Sequence, residues 1–219
     1  MSWFYYFGRF LIRVTIFLFT STRVMGKKNL PKKGRLLVVS NHLSLADPPL
    51  LGACLTRKAI FMAKEELFRH WFTRYFIRGF GAFPVYRGQM DRKAMRRAEQ
   101  VLANEFVLVM FPEATRSDDA RMQKAYSGST LIALRNKAPI LPVGITGTEK
   151  IKGYQWIFKR PRLTVNIGSP FTLPEVEGKV SREVLNDRTD YMMRHIAELL
   201  PERYRGVYSL DGVKDAVQG

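Results

Sequence analysis

The sequence predicts an α/β fold: a single mixed, partly parallel β-sheet flanked by helices, with an N-terminal helical segment that suits a membrane interface. Three observations favour this class. Short apolar runs alternate along the chain with longer segments of helical periodicity. Two of those runs end directly in polar residues that can carry chemistry. The length of 219 residues is enough for one α/β domain with a sizeable core.

The strands are predicted from apolar and β-branched runs bounded by turn residues. They cover residues 36–40, 59–63, 82–86, 106–111, 139–145 and 163–167. Helices are predicted after Asp47, over 91–103, over 130–137, and from Ser181, as the cap, to a stop before Pro201. We therefore divide the chain into an N-terminal amphipathic membrane-associated helix (1–30), an α/β domain (31–205) and a flexible C-terminal tail (206–219).

The net charge of +17, from 36 Lys and Arg against 19 Asp and Glu, predicts attraction to a polyanionic partner. Nucleic acid, anionic lipid and an acidic protein all meet that condition. In the helix predicted over 91–103, the basic residues lie opposite the apolar side; they are Arg92, Lys93, Arg96 and Arg97. The single cysteine, Cys54, excludes an intramolecular disulfide, suits a reducing compartment and is expected to pack in an apolar helix.

The N-terminal segment is basic and aromatic. No acidic residue precedes Asp47, and residues 3–19 are mostly aromatic and aliphatic but include Arg9 and Arg13, which lie one helical turn apart. A transmembrane span needs about 20 predominantly apolar residues, so the two arginines favour a helix that lies in the interface. A short tilted span anchored by snorkelling arginines is the alternative. A cleaved secretory signal is disfavoured because no small-residue cleavage site follows.

A second segment, 66–80, combines aromatic residues at helical spacing with basic residues elsewhere on the helix; its aromatic residues include Phe68, Trp71, Phe72, Tyr75 and Phe76. Such a face either packs on the core or docks on a membrane. We predict that residues 3–24 and 66–80 together form a membrane platform, on the cytoplasmic side, that meets an anionic leaflet.

The polar residues after the first strand include His42 and Asp47, five positions apart. On a continuous helix five residues turn through roughly 500°, which leaves the two side chains about 140° apart. A strand-to-helix turn could bring them together, with Asp47 as the helix N-cap and Pro48 as the first helical residue. The pair then forms a candidate catalytic dyad. The alternative is that Asp47 only caps the helix and Asn41 and His42 are ordinary turn residues.

A second polar block, residues 111–117 (FPEATRS), follows another predicted strand. Ligands of open α/β sheets bind outside the carboxyl ends of the strands, so the two blocks predict one site.

Four blocks in order resemble the glycerolipid acyltransferase family, which includes 1-acylglycerol-3-phosphate acyltransferases. They are Asn41-His42-x4-Asp47, the segment 81–87 that ends in Arg87, the segment 111–117, and the segment 140–145 around Pro142. The resemblance covers roughly residues 35–170. Two positions depart from the family pattern: Ala114 replaces the usual glycine, and Tyr86 stands where an acidic residue often precedes the arginine.

The resemblance implies acyl transfer from a thioester, acyl-CoA or acyl carrier protein, to the hydroxyl of 1-acylglycerol 3-phosphate, which gives phosphatidic acid. His42 is implied as the base, with Asp47 orienting its ring. Arg87 and Arg116 are implied as ligands of the acceptor phosphate. Glu113 is expected to hold Arg116 or the glycerol portion of the acceptor. The remaining expectations are a hydroxyl contact from Thr115 and a channel for the acyl donor shaped by Pro142. The sequence does not name the oxyanion donor; backbone amides of the strand-to-helix turn are the candidates.

No metal and no cofactor beyond the thioester co-substrate is expected, because His70 and His195 lack neighbours with metal-ligand spacing and no Gly-rich phosphate loop, paired cysteines or GxSxG elbow is found. Other acceptors remain open, namely glycerol 3-phosphate, a lysophospholipid or an amino-acid lipid, as does hydrolysis of an ester or thioester. From another class, the alternative is a non-catalytic basic protein that binds membranes or nucleic acid, since aromatic residues over 68–80 could stack bases. No nucleic-acid module is recognised, and we expect no nucleic-acid partner.

Overall fold

The computed structural model describes residues 2–86, 91–176 and 180–209, except for the side chains of Ser2 and Phe72. Its strands are β1 (Ser21–Met25), β2 (Leu36–Ser40), β3 (Ala59–Lys64), β4 (Phe83–Val85), β5 (Val107–Met110), β6 (Ile140–Thr146) and β7 (Arg162–Ile167). Its α-helices are α1 (Ser2–Phe19), α2 (Asp47–Cys54), α3 (Trp71–Gly79), α4 (Arg92–Ala103), α5 (Gly128–Asn136), α6 (Trp156–Lys159) and α7 (Arg182–Ala197).

The strands form one sheet in the order β1-β7-β6-β2-β5-β3-β4. The five strands from β6 to β4 run parallel to one another, β7 is antiparallel to β6, and β1 is parallel to β7. The sheet is therefore mixed and mostly parallel, with helices on both sides, which confirms the predicted fold class. All six predicted strands are present, each within one residue of its predicted ends.

The strand β1 was not predicted, because residues 3–24 were assigned to a single membrane-bound segment. Residues 21–25 instead pair with β7, from Ser21 opposite Arg162 to Met25 opposite Asn166. The strand lies at the edge of the sheet and has no fully buried residue, so it lacks the apolar run that identifies a central strand. The predicted segment 1–30 thus holds both a helix and an edge strand.

The core has two layers, one on each face of the sheet, because successive strand residues point to opposite faces. In β2, Leu37 and Val39 pack in the layer covered by α4, α5 and α7. Leu36 and Val38 pack in the other layer, which α2 covers. The helices α1 and α4 consequently lie on opposite faces of the sheet, since α1 packs on α2.

The helix α7 starts at its predicted cap, since Ser181 accepts a hydrogen bond from the amide of Val184. Asp91, predicted as the first residue of its helix, is instead the N-cap of α4 and accepts from the amides of Lys93 and Ala94. The start of α2 differs by one residue: Ala46 is the N-cap and Asp47 is the first helical residue, which frees the Asp47 carboxylate for contacts outside the helix.

The predicted helix over 66–80 is broken into two parts, the 3₁₀ turn Glu65–Phe68 and the helix α3. A further 3₁₀ turn, Gly206–Tyr208, lies at the start of the predicted C-terminal tail, and the rest of that tail, 210–219, lies outside the described residues. Cys54 is free, and burial raises the pKa of its thiol to about 11, so the thiol stays protonated at neutral pH.

The helix α1 is held on the domain by a polar stripe with a spacing of four residues, formed by Tyr5, Arg9 and Arg13. The hydroxyl of Tyr5 accepts from the amide of Ala59 at 3.1 Å. The guanidinium of Arg9 donates to the carbonyls of Leu55 and Thr56, and Arg13 Nε donates to the carbonyl of Ala53 at 2.8 Å; these carbonyls lie at and just beyond the end of α2.

A helix end leaves carbonyls without intrahelical partners and carries partial negative charge, so cations are favourable there. The two arginines of α1 therefore face the protein. Within the described ranges, no helix is both long enough and apolar enough to cross a membrane.

Candidate active site

The first and second polar blocks meet because β2 and β5 are adjacent parallel strands. His42 follows the carboxyl end of β2, and the segment 111–117 follows the carboxyl end of β5. Both blocks therefore lie at the same edge of the sheet, where ligands of such sheets bind.

The strand-to-helix turn brings His42 and Asp47 into contact. His42 Nδ1 lies 2.9 Å from Asp47 Oδ2, and the two side chains are almost fully buried. The same carboxylate oxygen accepts from the amides of Leu43 at 2.7 Å and Ser44 at 2.8 Å, which fixes its position. Because the carboxylate only accepts hydrogen bonds, Nδ1 donates to it, and Nε2 is left as the basic nitrogen of the neutral ring.

Four amides of this turn donate to acceptors within the protein, which argues against these four as donors to an oxyanion. The His42 amide donates to Glu113, those of Leu43 and Ser44 donate to Asp47, and the Asp47 amide donates to the Ser44 carbonyl.

Glu113 holds the backbone on both sides of the site. Its Oε1 accepts from the amide of His42 at 3.1 Å, and its Oε2 accepts from the amide of Gln123 at 2.9 Å. The amide of Ser117 donates to the carbonyl of His42 at 2.9 Å, so the second block holds both the amide and the carbonyl of His42. The expectation that Glu113 binds Arg116 or the acceptor is corrected, because its carboxylate is buried and bonded to these amides.

Burial raises the pKa of Glu113 to about 7. The two amides that donate to the carboxylate lower this pKa, while the nearby carboxylates of Asp47 and Asp119 raise it further. Desolvation is the largest cause, because a charged carboxylate loses hydration in the interior.

Two residues support His42 in ways that the sequence did not indicate. Asn41 makes two hydrogen bonds to Ile145 at the end of β6, its Oδ1 accepting from the amide at 2.8 Å and its Nδ2 donating to the carbonyl at 2.9 Å. The ring of Phe111 stacks on the imidazole with a centroid distance of 4.2 Å. The sequence offered only their positions as an indication: Asn41 directly precedes His42, and Phe111 is the first residue of the second block.

Ala114 adopts a left-handed conformation with φ of 57°. The family that this chain resembles usually has glycine at this position, and glycine tolerates such a φ without a steric penalty. For a residue with a Cβ atom the left-handed conformation costs roughly 1–2 kcal/mol. The left-handed conformation of Ala114 in the turn of the second block therefore destabilises the folded chain.

A largely apolar cavity of about 510 Å³ opens beside His42. It lies between α1, α2, α3 and β3. Its polar lining residues are Tyr5, Arg9, His42, Lys64, Thr115 and Arg116; its apolar ones are Ile12, Leu45, Pro48, Pro49, Gly52, Phe61, Met62, Ala63, Leu67, Phe76, Ile77, Phe80, Ala82 and Phe111. An apolar cavity with a histidine and a few polar groups suits an apolar ligand that is held at one end by polar contacts.

Thr115 and Arg116 are exposed and line this cavity together with His42. Arg87, the other predicted phosphate ligand, lies outside the described residues. Pro142 is not in the cavity wall: it lies buried in the middle of β6, where a Cβ atom on Gly168 would meet its ring at 2.9 Å. This position replaces the predicted role of Pro142 in an acyl channel with a role in packing.

The side of α1 that faces away from the protein is apolar and aromatic, with Trp3, Phe10 and Phe17 all exposed. The helix α3 continues this surface through Trp71 and Tyr75, and the Phe4 ring packs edge-on against Tyr75. A third part, α6, was not predicted from the sequence; here Phe158 is exposed and Trp156 contacts Phe19 of α1. We call the exposed aromatic surface of α1, α3 and α6 the aromatic face.

Among the described residues, no three His, Cys, Asp or Glu side chains are grouped so that they could hold a metal ion. His195 lies on α7, on the other face of the sheet from α2, and packs against Phe171.

The family described as Acyltransferase matches residues 21–146, which is more than half of the chain. The chain therefore belongs to the acyltransferase family.

Individual relatives agree with this family. The chain is similar to a 1-acyl-sn-glycerol-3-phosphate acyltransferase of Streptococcus pneumoniae, with 33% identity over 64% of this chain and 52% of the relative. It is also similar to the chloroplastic enzyme of the same name, BAT2, of Brassica napus, with 29% identity over 63% of this chain and 41% of the relative. The chain thus spans about half the length of these curated relatives.

Among solved structures, the chain resembles the 1-acyl-sn-glycerophosphate (LPA) acyltransferase PlsC of Thermotoga maritima. The match has a TM-score of 0.67 and 28% sequence identity, and it covers 90% of this chain and 77% of that one.

Proposed function

We propose that this protein is a membrane-associated O-acyltransferase that moves a fatty acyl group from a thioester to the free hydroxyl of 1-acylglycerol 3-phosphate, giving phosphatidic acid for phospholipid biosynthesis. The observation that carries the proposal is the contact of Asp47 with His42, which lines a largely apolar cavity together with Arg116. The names of the relatives support the choice of acceptor.

In the proposed reaction His42 Nε2 takes the proton from the acceptor hydroxyl, while the oxygen of that hydroxyl attacks the thioester carbonyl. Asp47 holds the ring through Nδ1 and stabilises the imidazolium that forms. The tetrahedral intermediate collapses as the C–S bond breaks, and His42 returns the proton to the leaving thiolate. The products are an ester and a free thiol, and no acyl-enzyme is needed because the acceptor is itself the nucleophile.

The acceptor phosphate is proposed to bind Arg116, whose guanidinium offers a fork of donors that matches phosphate oxygens. Arg87 is proposed as a second ligand from its position in the sequence. Since the turn amides beside His42 are occupied, the hydroxyl of Thr115 is the proposed donor to the oxyanion. Acyl chains are proposed to lie in the cavity, whose walls are mostly apolar.

The aromatic face is proposed to lie in the interface of the cytoplasmic leaflet. Tryptophan and tyrosine favour the headgroup region, and the large exposed aromatic residues of α1 and α3 supply buried area for such binding. Because Arg9 and Arg13 of α1 bind carbonyls of the protein, their charges do not lie on the aromatic face. The acyl cavity is lined by residues of the same two helices, among them Ile12 and Ile77, so lipid substrates could enter from the leaflet.

The proposal is tested by acyl transfer from oleoyl-CoA in detergent micelles to three acceptors: 1-acylglycerol 3-phosphate, glycerol 3-phosphate and 1-acylglycerol. Transfer to the first acceptor in clear preference to the other two is expected. Arg116→Ala should raise KM for 1-acylglycerol 3-phosphate about tenfold or more, because a charge-assisted contact to phosphate is lost.

Arg23→Ala, in the edge strand β1, is the matched control and should leave that KM unchanged. Equal transfer to all three acceptors would contradict the assigned acceptor. Release of free oleate without any acceptor would indicate a hydrolase.

A further inference from the structure

The first two turns of α4 carry four exposed basic residues on one side: Arg92, Lys93, Arg96 and Arg97. We call them the basic face of α4. Ala94, Ala98 and Leu102 are buried on the opposite side of the helix. None of the four cations forms an ion pair with another described residue; Arg97 donates to the side-chain oxygen of Gln100 at 3.2 Å.

This arrangement does not favour the helix itself. The amino-terminal turn of a helix carries partial positive charge, so cations are unfavourable there, and the first turn of α4 contains no acidic residue. The pairs Arg92–Arg96 and Lys93–Arg97 add like charges at a spacing of four residues. Asp91 offsets part of this charge at the N-cap, where it binds backbone amides. Charge placements that do not stabilise a helix are typical of functional surfaces.

The basic face lies beside the proposed active site. Asp91 Oδ2 accepts from the amide of Tyr86, directly after β4, so α4 begins at the carboxyl edge of the sheet. His42 and the segment 111–117 lie at the same edge. The strand β4 is two positions from β5 in the sheet, which is roughly 10 Å at the usual strand spacing.

The basic face is directed away from the aromatic face. The helix α4 packs on the face of the sheet opposite to α2 and α1. When the aromatic face of α1 lies on a bilayer, the basic face of α4 is therefore in water. This position favours a soluble acidic partner over an anionic leaflet, because surface charges act over roughly one Debye length, about 8 Å at physiological ionic strength.

We propose that the basic face of α4 docks an acidic acyl carrier protein, which delivers the acyl thioester to His42 across the carboxyl edge of the sheet. This inference rests on the function proposed above and adds to it the surface on which the donor docks. Complementary charge of this kind mainly raises the rate of encounter and selects the partner.

The first experiment measures binding of an acyl carrier protein, with its chain attached through an amide that cannot be transferred, to the full chain in detergent micelles. The double variant Arg92→Glu/Lys93→Glu should weaken binding about tenfold or more at low salt, and added salt should reduce the difference. The matched control is Lys32→Glu/Lys33→Glu, which makes the same change in charge at exposed residues before the amino end of β2. Equal weakening in both variants would overturn the proposal.

The second experiment compares donors. In Arg92→Glu/Lys93→Glu, KM for the acyl carrier protein should rise about tenfold while KM for acyl-CoA changes less than twofold. An equal rise for both donors would overturn the proposal, since the face would then serve phosphate groups in general. If the double variant lost vesicle binding but kept carrier binding, the basic face would be a contact with the anionic leaflet, and the docking proposal would be overturned. Carrier binding that depends on Arg92 and Lys93, without transfer from any donor, would support the docking face and contradict the proposed function.

Thermal unfolding supplies a third readout. Arg92→Glu/Lys93→Glu should raise Tm by about 2–4 °C, since acidic residues suit the start of a helix. A fall in Tm would show that the basic face stabilises the fold, and the docking role would lose its main argument.

Discussion

The amide of His42 donates to Oε1 of Glu113 across a gap of 71 positions in the sequence. Two strand ends are joined by this contact, because His42 follows β2 and Glu113 follows β5. The other carboxylate oxygen of Glu113 binds the amide of Gln123. One buried side chain thus fixes the backbone of the proposed base relative to the loop that carries Thr115 and Arg116.

Glu113→Gln should lower kcat about tenfold with a smaller effect on KM, because an amide side chain offers one acceptor oxygen for two backbone amides. The measurement is steady-state transfer to 1-acylglycerol 3-phosphate. An unchanged kcat would mean that the contact between Glu113 and His42 does not matter for the reaction.

The same variant should change how stability depends on pH. The pKa of Glu113 is raised from 4.5 to about 7, so between these values the folded chain holds a proton that the unfolded chain has lost. Stability from this group is fully present below about pH 4.5 and is lost as the pH rises through about 7. Between about pH 5 and 8 the intact protein should therefore lose more stability than Glu113→Gln. Parallel Tm curves would contradict the raised pKa.

Ala114→Gly should stabilise the protein by about 0.5–1 kcal/mol, because glycine removes the cost of a left-handed conformation but adds entropy to the unfolded chain. Chemical denaturation measures the difference. Glu105, which also has a positive φ, is a second site where glycine should act in the same direction. A destabilised Ala114→Gly protein would show that the methyl group makes packing contacts that outweigh the strain.

Arg9→Leu should destabilise the protein by about 2–3 kcal/mol, because the buried carbonyl of Leu55 loses its donor and the carbonyl of Thr56 loses a weaker, partly buried contact. Vesicle flotation should be unchanged, since Arg9 is buried against α2. Arg9→Lys should recover part of the stability. Arg23→Leu, an exposed arginine in β1, is the control and should change neither quantity. Loss of flotation without loss of stability in Arg9→Leu would instead identify Arg9 as a lipid contact.

Trp71→Glu should weaken binding to vesicles that contain anionic lipid by about tenfold, because 74% of this side chain is exposed on the aromatic face and a charge resists burial among acyl chains. Phe106→Glu is the matched control, since Phe106 is exposed at the amino end of β5, away from that face. Flotation quantifies both variants. Equal binding by Trp71→Glu and the intact protein would remove α3 from the membrane surface.

Much of the fold was predictable because its signals are local. The strands β2 and β5 are continuous apolar runs, and Asp91 and Ser181 are caps that precede clear helical periodicity. The pairing of His42 with Asp47 was also accessible, because the two residues are five positions apart and a turn joins them.

What could not be predicted depends on contacts between distant residues. Arg9 meets Leu55 across 46 positions, and Asn41 meets Ile145 across 104. No local pattern indicates that an arginine in an apolar helix will cap another helix. The sequence predicts Arg116 or the acceptor as the partner of the Glu113 carboxylate, because its actual backbone partners come together only after the sheet is assembled.

The central claim is that His42, held by Asp47, is the base of an acyl transfer. The most direct test is the rate of phosphatidic acid formation from oleoyl-CoA and 1-acylglycerol 3-phosphate by intact protein and by folded His42→Ala, with His195→Ala as the control on the other face of the sheet. Loss of about 10²–10⁴-fold in kcat for His42→Ala alone is expected, the usual contribution of a general base. Equal rates for the intact protein and folded His42→Ala would contradict the account.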